Sequence, residues 1–374
     1  MSVAPATPDF TPPHRSPARQ SAPANTPDTL RIGMVVPLQG PAGLFGPSCE
    51  AISALGAHEL NSAGGILGRQ VEIEIIDGGA PPRDVARTVS ALAHAGRIDA
   101  VSGWHISSVR HALAPILAGR LPYAYTSLYE GGESRSGIYC CGETPREQIG
   151  PALRWLRNNL GTRRWMIVGD DYVWPHLSAA AIHQYAHQLG LTIAGEAFVR
   201  LGQSDMRDLI ADVRAVRPEG VLMLLVGQDA VEFNRAFARA GLHEHITRFS
   251  PLMEENMLMA SGPETTSGLF VAAAYFRSLI GANSLDLIGR YTALHGPHAP
   301  ALNNAAESCY EGLQTLAALA RRAGSLDVTA LDSAVDGAGY DGPRGPVSFR
   351  GSQGHQRVHL AAASGVDFEV ITSL

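Results

Sequence analysis

Short, largely apolar segments alternate with segments of helical periodicity along most of this sequence. The apolar segments LRIGMVVPL and GVLMLLVG, for example, each lead through a turn into a stretch whose apolar residues recur at helical spacing. Strands that are apolar along their whole length are typical of parallel sheets with helices on both faces. The alternation therefore predicts an α/β fold built from doubly wound parallel sheets.

The alternation falls into two successive series, one near residues 31–147 and one near residues 148–272. Each series contains enough strands and helices to form its own sheet with helices on both faces. A length of 374 residues is ample for two such units. We therefore expect two doubly wound lobes.

The first thirty residues differ from the rest, because they contain seven prolines together with many Ser, Thr and Ala residues. Such a segment has too little apolar surface to offset the entropy lost on ordering, so we predict a disordered leader over residues 1–30. The leader lacks the apolar core of an export signal, and no later segment is apolar for long enough to span a membrane. We therefore expect a cytoplasmic protein without a membrane span.

The composition excludes several kinds of chemistry. All 29 basic side chains are arginine, so phosphate loops of the Walker A type and lysine Schiff bases are excluded. A net charge of −6 with scattered arginines argues against direct nucleic-acid binding. No GxSxG or HExxH motif occurs, and the glycines after the first strand have the wrong spacing for a dinucleotide site. The sequence predicts a binding protein without metal or cofactor, not an enzyme.

Polar and aromatic side chains occupy the turns that follow the predicted strands. In doubly wound sheets such turns line the crevice in which ligands bind. These turns are residues 37–40, 103–107, 125–129, 171–175, 226–228 and 274–276. Their hydroxyl, amide and aromatic groups carry little unpaired charge, which indicates a small, neutral, hydrogen-bonding ligand held between aromatic walls.

A more specific pattern joins the first strand, a long helix and the second strand. The pattern E-x-N-x-x-G-G-x-x-G-R is supplied here by Glu59, Asn61, Gly64, Gly65, Gly68 and Arg69. With its flanking strands it resembles the opening of the type I periplasmic-binding-protein-like family, in the branched-chain amino acid and amide receptor group. The segments AYTSLYEG, GDDYVWP and DGPRGPVSF are most similar to amide-sensing negative regulators of aliphatic amidase operons. The resemblance runs from about residue 31 to about residue 360.

The resemblance implies the type I periplasmic binding protein fold, in which a three-segment hinge joins two lobes. It assigns residues 31–147 and 273–335 to the first lobe, and residues 148–272 and 336–374 to the second lobe and the hinge. Three chain crossings would allow the lobes to close on a ligand in the cleft between them.

The resemblance also implies a set of ligand-binding residues. They are His105, Ser107, Tyr125, Ser127, Tyr172, Trp174, Gln228 and Tyr275. Ser107 and Ser127 would hydrogen bond to the polar head of the ligand, while Tyr172 and Trp174 would close over it from the second lobe.

Two departures from the family pattern affect the expected ligand. His105 and Trp174 stand where the amide-sensing regulators have tyrosines, which predicts a pocket of different shape. Amino acid receptors neutralise the ligand's ammonium with a carboxylate. The nearest one here, Asp229, is expected to point away in the first turn of its helix. Because an unpaired buried charge is costly, a neutral amide, urea or nitrile-derived compound is favoured over an amino acid.

Each residue also has a simpler interpretation. Tyr125, Trp174 and Tyr275 would equally suit ordinary packing between lobes. Ser107 has the residue type preferred at a helix N-cap, and His105 suits a partly buried hydrogen-bonding group. Their occurrence together on strand-end turns favours the binding site.

The leading functional hypothesis is a cytoplasmic amide sensor whose closure regulates a partner protein, such as an antiterminator-like regulator, that controls amide- or nitrile-degrading genes. The alternative is the substrate-binding subunit of an ABC importer for amides, urea or branched-chain amino acids, with an ABC permease as partner. An enzyme acting on amides is a distant third. The sequence leaves the oligomeric state open, including a homo-oligomer.

Overall fold

A computed structural model describes residues 28–374. Residues 1–27 of the predicted leader lie outside the described residues. Thr29 and Leu30, which the leader prediction included, instead begin the first strand, because they pair with Gln70 and Val71 of the neighbouring strand. Within the described part of the chain, no helix has the length and apolar character needed to cross a membrane.

The first β/α series forms a parallel sheet. Its elements are β1 (Thr29–Val36), α1 (Gly46–Ser62), β2 (Gln70–Asp77), α2 (Pro82–His94), β3 (Ala100–Gly103), α3 (Ser107–Leu117), β4 (Tyr123–Tyr125) and β5 (Ile138–Cys140). The strands lie in the order β2-β1-β3-β4-β5. The strand order reverses between β1 and β3, which is the point at which doubly wound sheets open a crevice for a ligand.

The second series repeats this arrangement. Its elements are α4 (Pro145–Leu160), β6 (Arg164–Asp170), α5 (Val173–Leu189), β7 (Thr192–Val199), α6 (Arg207–Val216), β8 (Gly220–Leu224), α7 (Gln228–Arg239), β9 (Thr247–Ser250), α8 (Glu255–Ser261) and β10 (Leu269–Ala273). The parallel order is β7-β6-β8-β9-β10, with the reversal between β6 and β8. All five residues of β8 are buried, as expected for a central strand of such a sheet.

The remainder of the chain returns to the first lobe and then to the second. Its elements are α9 (Ala282–His295), α10 (Asn304–Ala323), α11 (Val328–Val335), β11 (Gly339–Gly342), β12 (Gly345–Arg350), β13 (Gln353–His355), β14 (His359–Ser364) and β15 (Asp367–Ser373). Strand β13 pairs with β5 and carries β12 and β11 with it, so these three strands extend the first sheet. Strands β14 and β15 extend the second sheet beside β10.

This pairing differs from the boundary predicted at residue 336. Residues 339–355 belong to the first lobe, because β13 takes up the free edge of β5. Only the last two strands lie in the second lobe. The chain therefore crosses between the lobes at residues 141–144, 274–281 and 356–358, and the predicted fold of two doubly wound lobes with a three-segment hinge is confirmed.

The first crossing leads directly into a well-defined helix start. Thr144 and Glu147 form a capping box, in which each side chain binds the backbone N–H of the other residue. At the far end of α4, Gly161 adopts a left-handed conformation (φ 77°) that terminates the helix. These local signals fix where the second lobe begins.

Candidate functional site

A small cavity lies between the lobes at the carboxyl ends of the strands. Residues that follow β3 and β4 line it from the first lobe, and residues that follow β6 and β9 line it from the second. The lining residues are Trp104, His105, Ile106, Ser107, Ser127, Leu128, Tyr172, Trp174 and Leu252. The cavity is narrow, with a volume of about 10 Å³.

The two lobes touch beside this cavity. A 3-10 turn of the first lobe, Pro41–Phe45, contacts α7 and α8 of the second. The amide of Asn256 donates a hydrogen bond across the cleft to the carbonyl oxygen of Leu44 at 2.7 Å. The Phe45 ring also packs on the cavity residue Trp104, with ring centroids 4.4 Å apart. The turn therefore links the cavity wall to the contact between the lobes.

His105 is fully buried and held by its own lobe. Its Nδ1 lies 3.0 Å from the carbonyl oxygen of Val35 and therefore carries the proton, while Nε2 accepts the hydroxyl proton of Tyr123 at 2.5 Å. Burial lowers the pKa of His105 from 6.5 to about 4, and the positive charge of Arg110 acts in the same direction. The imidazole is neutral at pH 7, and both ring nitrogens are already engaged within the protein.

Ser127 fixes the same turn from the neighbouring strand. Its hydroxyl accepts the backbone N–H of His105 at 2.9 Å and donates to the carbonyl oxygen of the same residue at 2.7 Å. The hydroxyl proton is thereby used, and one lone pair of the oxygen stays available to a ligand donor.

Ser107 opens helix α3 and contacts a buried charge cluster. Its hydroxyl donates to Glu130 Oε2 at 2.7 Å, although the sequence suggested an N-cap role and no side-chain cap is formed. Glu130 also pairs with Arg110, and Arg110 pairs with Glu133. Arg110 lies against the ring of Tyr125, 5.5 Å from its centroid. Arg135 also pairs with Glu133 at 2.8 Å, so two guanidinium groups match the two carboxylates behind the serine within the first lobe.

The pKa of Glu130 shows that this carboxyl is ionised. Burial disfavours its charge, but the hydrogen bond from His111, the charge of Arg110 and the hydrogen bond from Ser107 outweigh that effect and lower the pKa. The carboxylate and the guanidinium offset each other, which leaves the cavity wall without a net charge from this pair.

The second lobe contributes an aromatic wall. Tyr172 precedes α5 and Trp174 lies in its first turn, with ring centroids 6.3 Å apart. Leu252, from the loop after β9, completes this side and is 4% exposed. The apolar groups of the second lobe thus face the serine hydroxyls of the first.

The cavity brings together five of the eight residues inferred from the sequence and leaves three outside its lining. Tyr125 lies behind the wall, where its hydroxyl donates to the carbonyl oxygen of His105 at 3.0 Å. Gln228 begins α7 and donates to a glutamate of its own helix. Tyr275 lies in the second chain crossing, and its backbone N–H donates to the side chain at the start of α10.

Sequence reasoning missed four apolar lining residues: Trp104, Ile106, Leu128 and Leu252. Three of them lie in turns that the sequence did single out, so their position after a strand was a usable signal. The indole N–H of Trp104 is buried beside the cavity and has no hydrogen-bond acceptor among residues 28–374. Leu252 follows a strand that the sequence analysis did not identify, and no local signal marked it.

A second buried polar cluster lies at the hinge, away from the cavity. Glu143, in the first crossing, accepts the backbone N–H of Ala274 in the second crossing at 2.7 Å. Arg344, in the turn between β11 and β12, pairs with Glu311 at 2.7 Å and with Glu307 at 3.4 Å, and its guanidinium lies 3.9 Å from Glu143. One guanidinium therefore serves three buried carboxyl groups where the lobes are joined.

Comparison with known proteins places these observations in a family. The family model for periplasmic binding proteins matches residues 29–367, which covers both lobes and all three crossings. The chain belongs to the periplasmic binding protein family.

A curated relative of this periplasmic binding protein is the Leu/Ile/Val-binding protein BraC3 of Rhizobium johnstonii, 24% identical over 197 residues. The matched segment covers 51% of this chain and 53% of the relative, so it spans about half the length of that protein.

Solved structures share the fold over nearly the whole chain. An ABC transporter solute-binding protein from R. palustris, in complex with benzoate, has a TM-score of 0.80 at 18% identity and covers 92% of this chain and 96% of its own. The branched-chain amino acid binding protein LivJ from Streptococcus pneumoniae, in complex with isoleucine, has a TM-score of 0.80 at 15% identity and covers 92% and 99%. At such identities the likeness establishes the fold.

Proposed function

We propose that this chain is the substrate-binding subunit of an ABC importer, which closes its lobes on one small molecule and presents it to a permease. The observation that carries this proposal is the interlobe cavity, with hydroxyl groups on one side and aromatic walls on the other. The two solved structures named above are binding proteins of transporters, and the curated relative is a Leu/Ile/Val-binding protein, which supports the importer over the gene-regulating sensor that the sequence favoured.

The hydrogen-bonding groups of the cavity favour a ligand that donates hydrogen bonds to the serine hydroxyls. The Ser107 hydroxyl donates a hydrogen bond to Glu130, and the Ser127 hydroxyl donates one to the carbonyl oxygen of His105. Their remaining lone pairs accept N–H donors. The unpaired indole N–H of Trp104 supplies a donor for a ligand carbonyl. A primary amide carries both N–H donors and a carbonyl oxygen.

The charge of the cavity favours a neutral ligand. None of its lining residues bears a charge at pH 7, since burial keeps the pKa of His105 at about 4. An ammonium group would enter a low-dielectric site without a lining carboxylate, at considerable desolvation cost. The apolar wall suits a short aliphatic or small aromatic body, and the narrowness of the cavity favours a compact ligand. We therefore propose an amide or urea-like substrate, ahead of a zwitterionic amino acid.

A thermal-shift panel tests the ligand class. Acetamide, propionamide, benzamide and urea are compared with isoleucine and benzoate at equal concentrations. A ligand present at about 100 times its Kd stabilises the folded state by about 2.7 kcal/mol. We expect the amides to raise the melting temperature. Stabilisation by isoleucine or benzoate alone would overturn the amide proposal while leaving the binding role intact.

A matched pair of variants locates the site. Trp174→Ala removes an aromatic wall of the cavity and should abolish the ligand-induced shift. Trp155→Ala removes a partly buried tryptophan of α4 that lies outside the cavity lining and should retain the shift. An unchanged ligand response in Trp174→Ala would place binding elsewhere.

Cell fractionation separates the importer from the sensor. Recovery of the native protein outside the cytoplasmic membrane, and co-purification with a permease, is the expected result for an importer. Recovery only from the cytoplasm with a regulator protein bound would instead support the sensor hypothesis.

A further inference from the structure

Two buried carboxyl groups meet at the strand-order reversal of the second sheet. Asp170 is the last residue of β6 and is 0% exposed, while Asp229 lies in the first turn of α7 and is 2% exposed. From the sequence, Asp229 was expected to point away from the ligand as an ordinary first-turn residue. In the structure it lies outside the cavity lining, and its carboxyl group interacts with that of Asp170 where the adjacent strands β6 and β8 end.

Each carboxyl group holds a loop by a single backbone amide. Asp170 Oδ2 accepts the N–H of Val226 at 2.7 Å, and Asp229 Oδ2 accepts the N–H of Gly202 at 2.6 Å. The other oxygen of Asp170, Oδ1, is buried, and no N–H group or hydroxyl among residues 28–374 donates a hydrogen bond to it. Two carboxylates in this arrangement would repel each other, whereas one shared proton would join them by a hydrogen bond.

The surroundings contain no compensating positive charge. Among residues 28–374, no ion pair joins either carboxyl group to a basic side chain. Glu232, one turn along α7, adds negative charge near Asp229, and it is paired with Arg235 at 3.1 Å. From the start of α5, the phenol of Tyr172 lies within electrostatic range of Asp170. Burial first, and then the neighbouring charge of Asp229, raises the pKa of Asp170 well above its ordinary value.

The two loops held by this pair form the surface on which the first lobe closes. Gly227, next to Val226, packs so closely on the carbonyl oxygen of Pro41 that a Cβ at this position would overlap it. A Cβ on Gly202 would lie 3.4 Å from Pro41 Cγ. Pro41 begins the 3-10 turn that links the cavity wall to the lobe contact. The carboxyl pair therefore supports two second-lobe loops that Pro41 approaches.

We propose that Asp170 and Asp229 share one proton, and that this proton keeps the Gly202 and Gly227 loops in the position that receives Pro41 when the cleft closes. Loss of the proton to solvent leaves two adjacent carboxylates, which separate the loops and favour the open form. Asp170 and Asp229 are thus positioning residues that make closure pH-dependent. The effect on substrate capture rests on the proposed binding function. The link between the proton and the position of the loops does not depend on that function.

Hydrogen exchange of the ligand-free full-length chain tests the proposal, because the amides of Gly202 and Val226 report directly on the two carboxyl groups. Peptides containing these amides are followed from pH 6 to pH 9, with rates corrected for the intrinsic dependence on pH. In the unmodified chain we expect protection of both amides to fall as the pH rises. In Asp170→Asn the amide group donates to Asp229 at every pH, so protection should stay constant. Asp171→Asn, at an exposed neighbouring carboxylate, is the control and should behave like the unmodified chain.

Denaturant unfolding gives an independent readout. A proton held only by the folded state raises the unfolding equilibrium constant about ten-fold per pH unit, from the ordinary aspartate pKa up to the raised one. We expect the slope of the unfolding free energy against pH to be smaller in Asp170→Asn, by the equivalent of up to one bound proton. The slope should be unchanged in Asp171→Asn. Identical slopes in all three proteins, or pH-independent protection of Gly202 and Val226 in the unmodified chain, would overturn the proposal. Failure of every ligand in the panel would contradict the proposed function and leave these outcomes unaffected.

Discussion

Ser127 and His105 are joined by two hydrogen bonds of opposite direction. The serine oxygen accepts the backbone N–H of His105 at 2.9 Å and donates to its carbonyl oxygen at 2.7 Å. The two residues follow adjacent parallel strands, so one hydroxyl ties two strand-end turns together. Ser127 therefore shapes the cavity wall as well as lining it.

Ser127→Ala should destabilise the first lobe as well as weaken binding. The substitution leaves the buried N–H of His105 without an acceptor, at a cost of about 1–3 kcal/mol. Urea unfolding measures this loss, and the thermal-shift panel measures the loss of the ligand response. Ser62→Ala, at an exposed helix position, is the control and should change neither quantity. An unaltered unfolding midpoint in Ser127→Ala would contradict the structural role.

His105 should make the protein less stable in mild acid. Its folded pKa of about 4 lies below the ordinary value of 6.5, so the unfolded chain binds the proton more tightly. Stability is present above pH 6.5 and is lost as the pH falls toward 4, by on the order of 3 kcal/mol in total. His105→Gln should remove this contribution to the acid slope. His58→Gln, in α1 and outside the cavity, should preserve it. Equal slopes from pH 7 to pH 4 in His105→Gln and the unmodified chain would show that this imidazole does not limit acid stability.

The alternation of apolar strands and helices was sufficient to predict two doubly wound sheets, because each element carries its own periodicity. The apolar segment GVLMLLVG, for example, contains strand β8. The return of β11–β13 to the first sheet was not predictable in this way. Their partner is the edge of β5, more than 200 residues earlier, and no local pattern encodes that pairing.

Part of the candidate site could likewise be predicted from the sequence, and part could not. The turns that contain Ser107 and Ser127 could be predicted to lie at the cleft, because parallel strands bring their carboxyl ends to one edge. The choice of the two serines within those turns was implied by the family resemblance. Leu252 is indistinguishable in sequence from a core leucine, and its role depends on how the lobes meet. The Asp170–Asp229 pair was missed for a related reason, because Asp229 satisfies the local rule for a first-turn acidic residue.

Gly227→Ala should open the cleft. Gly227 has φ 53° and ψ −115°, a conformation that disfavours any residue with a side chain, and its Cβ would overlap the carbonyl oxygen of Pro41. Small-angle scattering should show a larger radius of gyration, and ligand affinity should fall. Gly190→Ala is the matched control, since Gly190 also has a positive φ of 62° but has no atom within 4 Å of the added Cβ. It should cost about 1 kcal/mol of stability without changing the scattering. A scattering curve of Gly227→Ala that matches the unmodified chain would refute the contact as a determinant of closure.

Arg344 and Glu307 should respond to substitution in opposite ways. Arg344→Met leaves the buried carboxyl groups at the hinge without their cation, which is expected to cost about 3–5 kcal/mol of folding stability.

Burial, and then the negative charge of Glu311, raises the pKa of Glu307 well above its ordinary value despite the attraction of Arg344. The stability from its bound proton is therefore present below the ordinary glutamate pKa and is lost as the pH rises toward the raised one.

Glu307→Gln keeps the shape of the protonated side chain without the need to hold a proton. It should be more stable than the unmodified chain at pH 8–9 and similar to it near pH 4, because the two forms then carry the same charge. Glu50→Gln, at an exposed position in α1, is the matched helical control and should follow the unmodified chain at both pH values. Chemical denaturation of the three variants across this pH range makes the comparison. The opposite pattern would contradict this prediction: no loss of stability in Arg344→Met and a loss of several kcal/mol in Glu307→Gln at pH 8. It would show that the charge of Glu307, and not the guanidinium of Arg344, limits stability at the hinge.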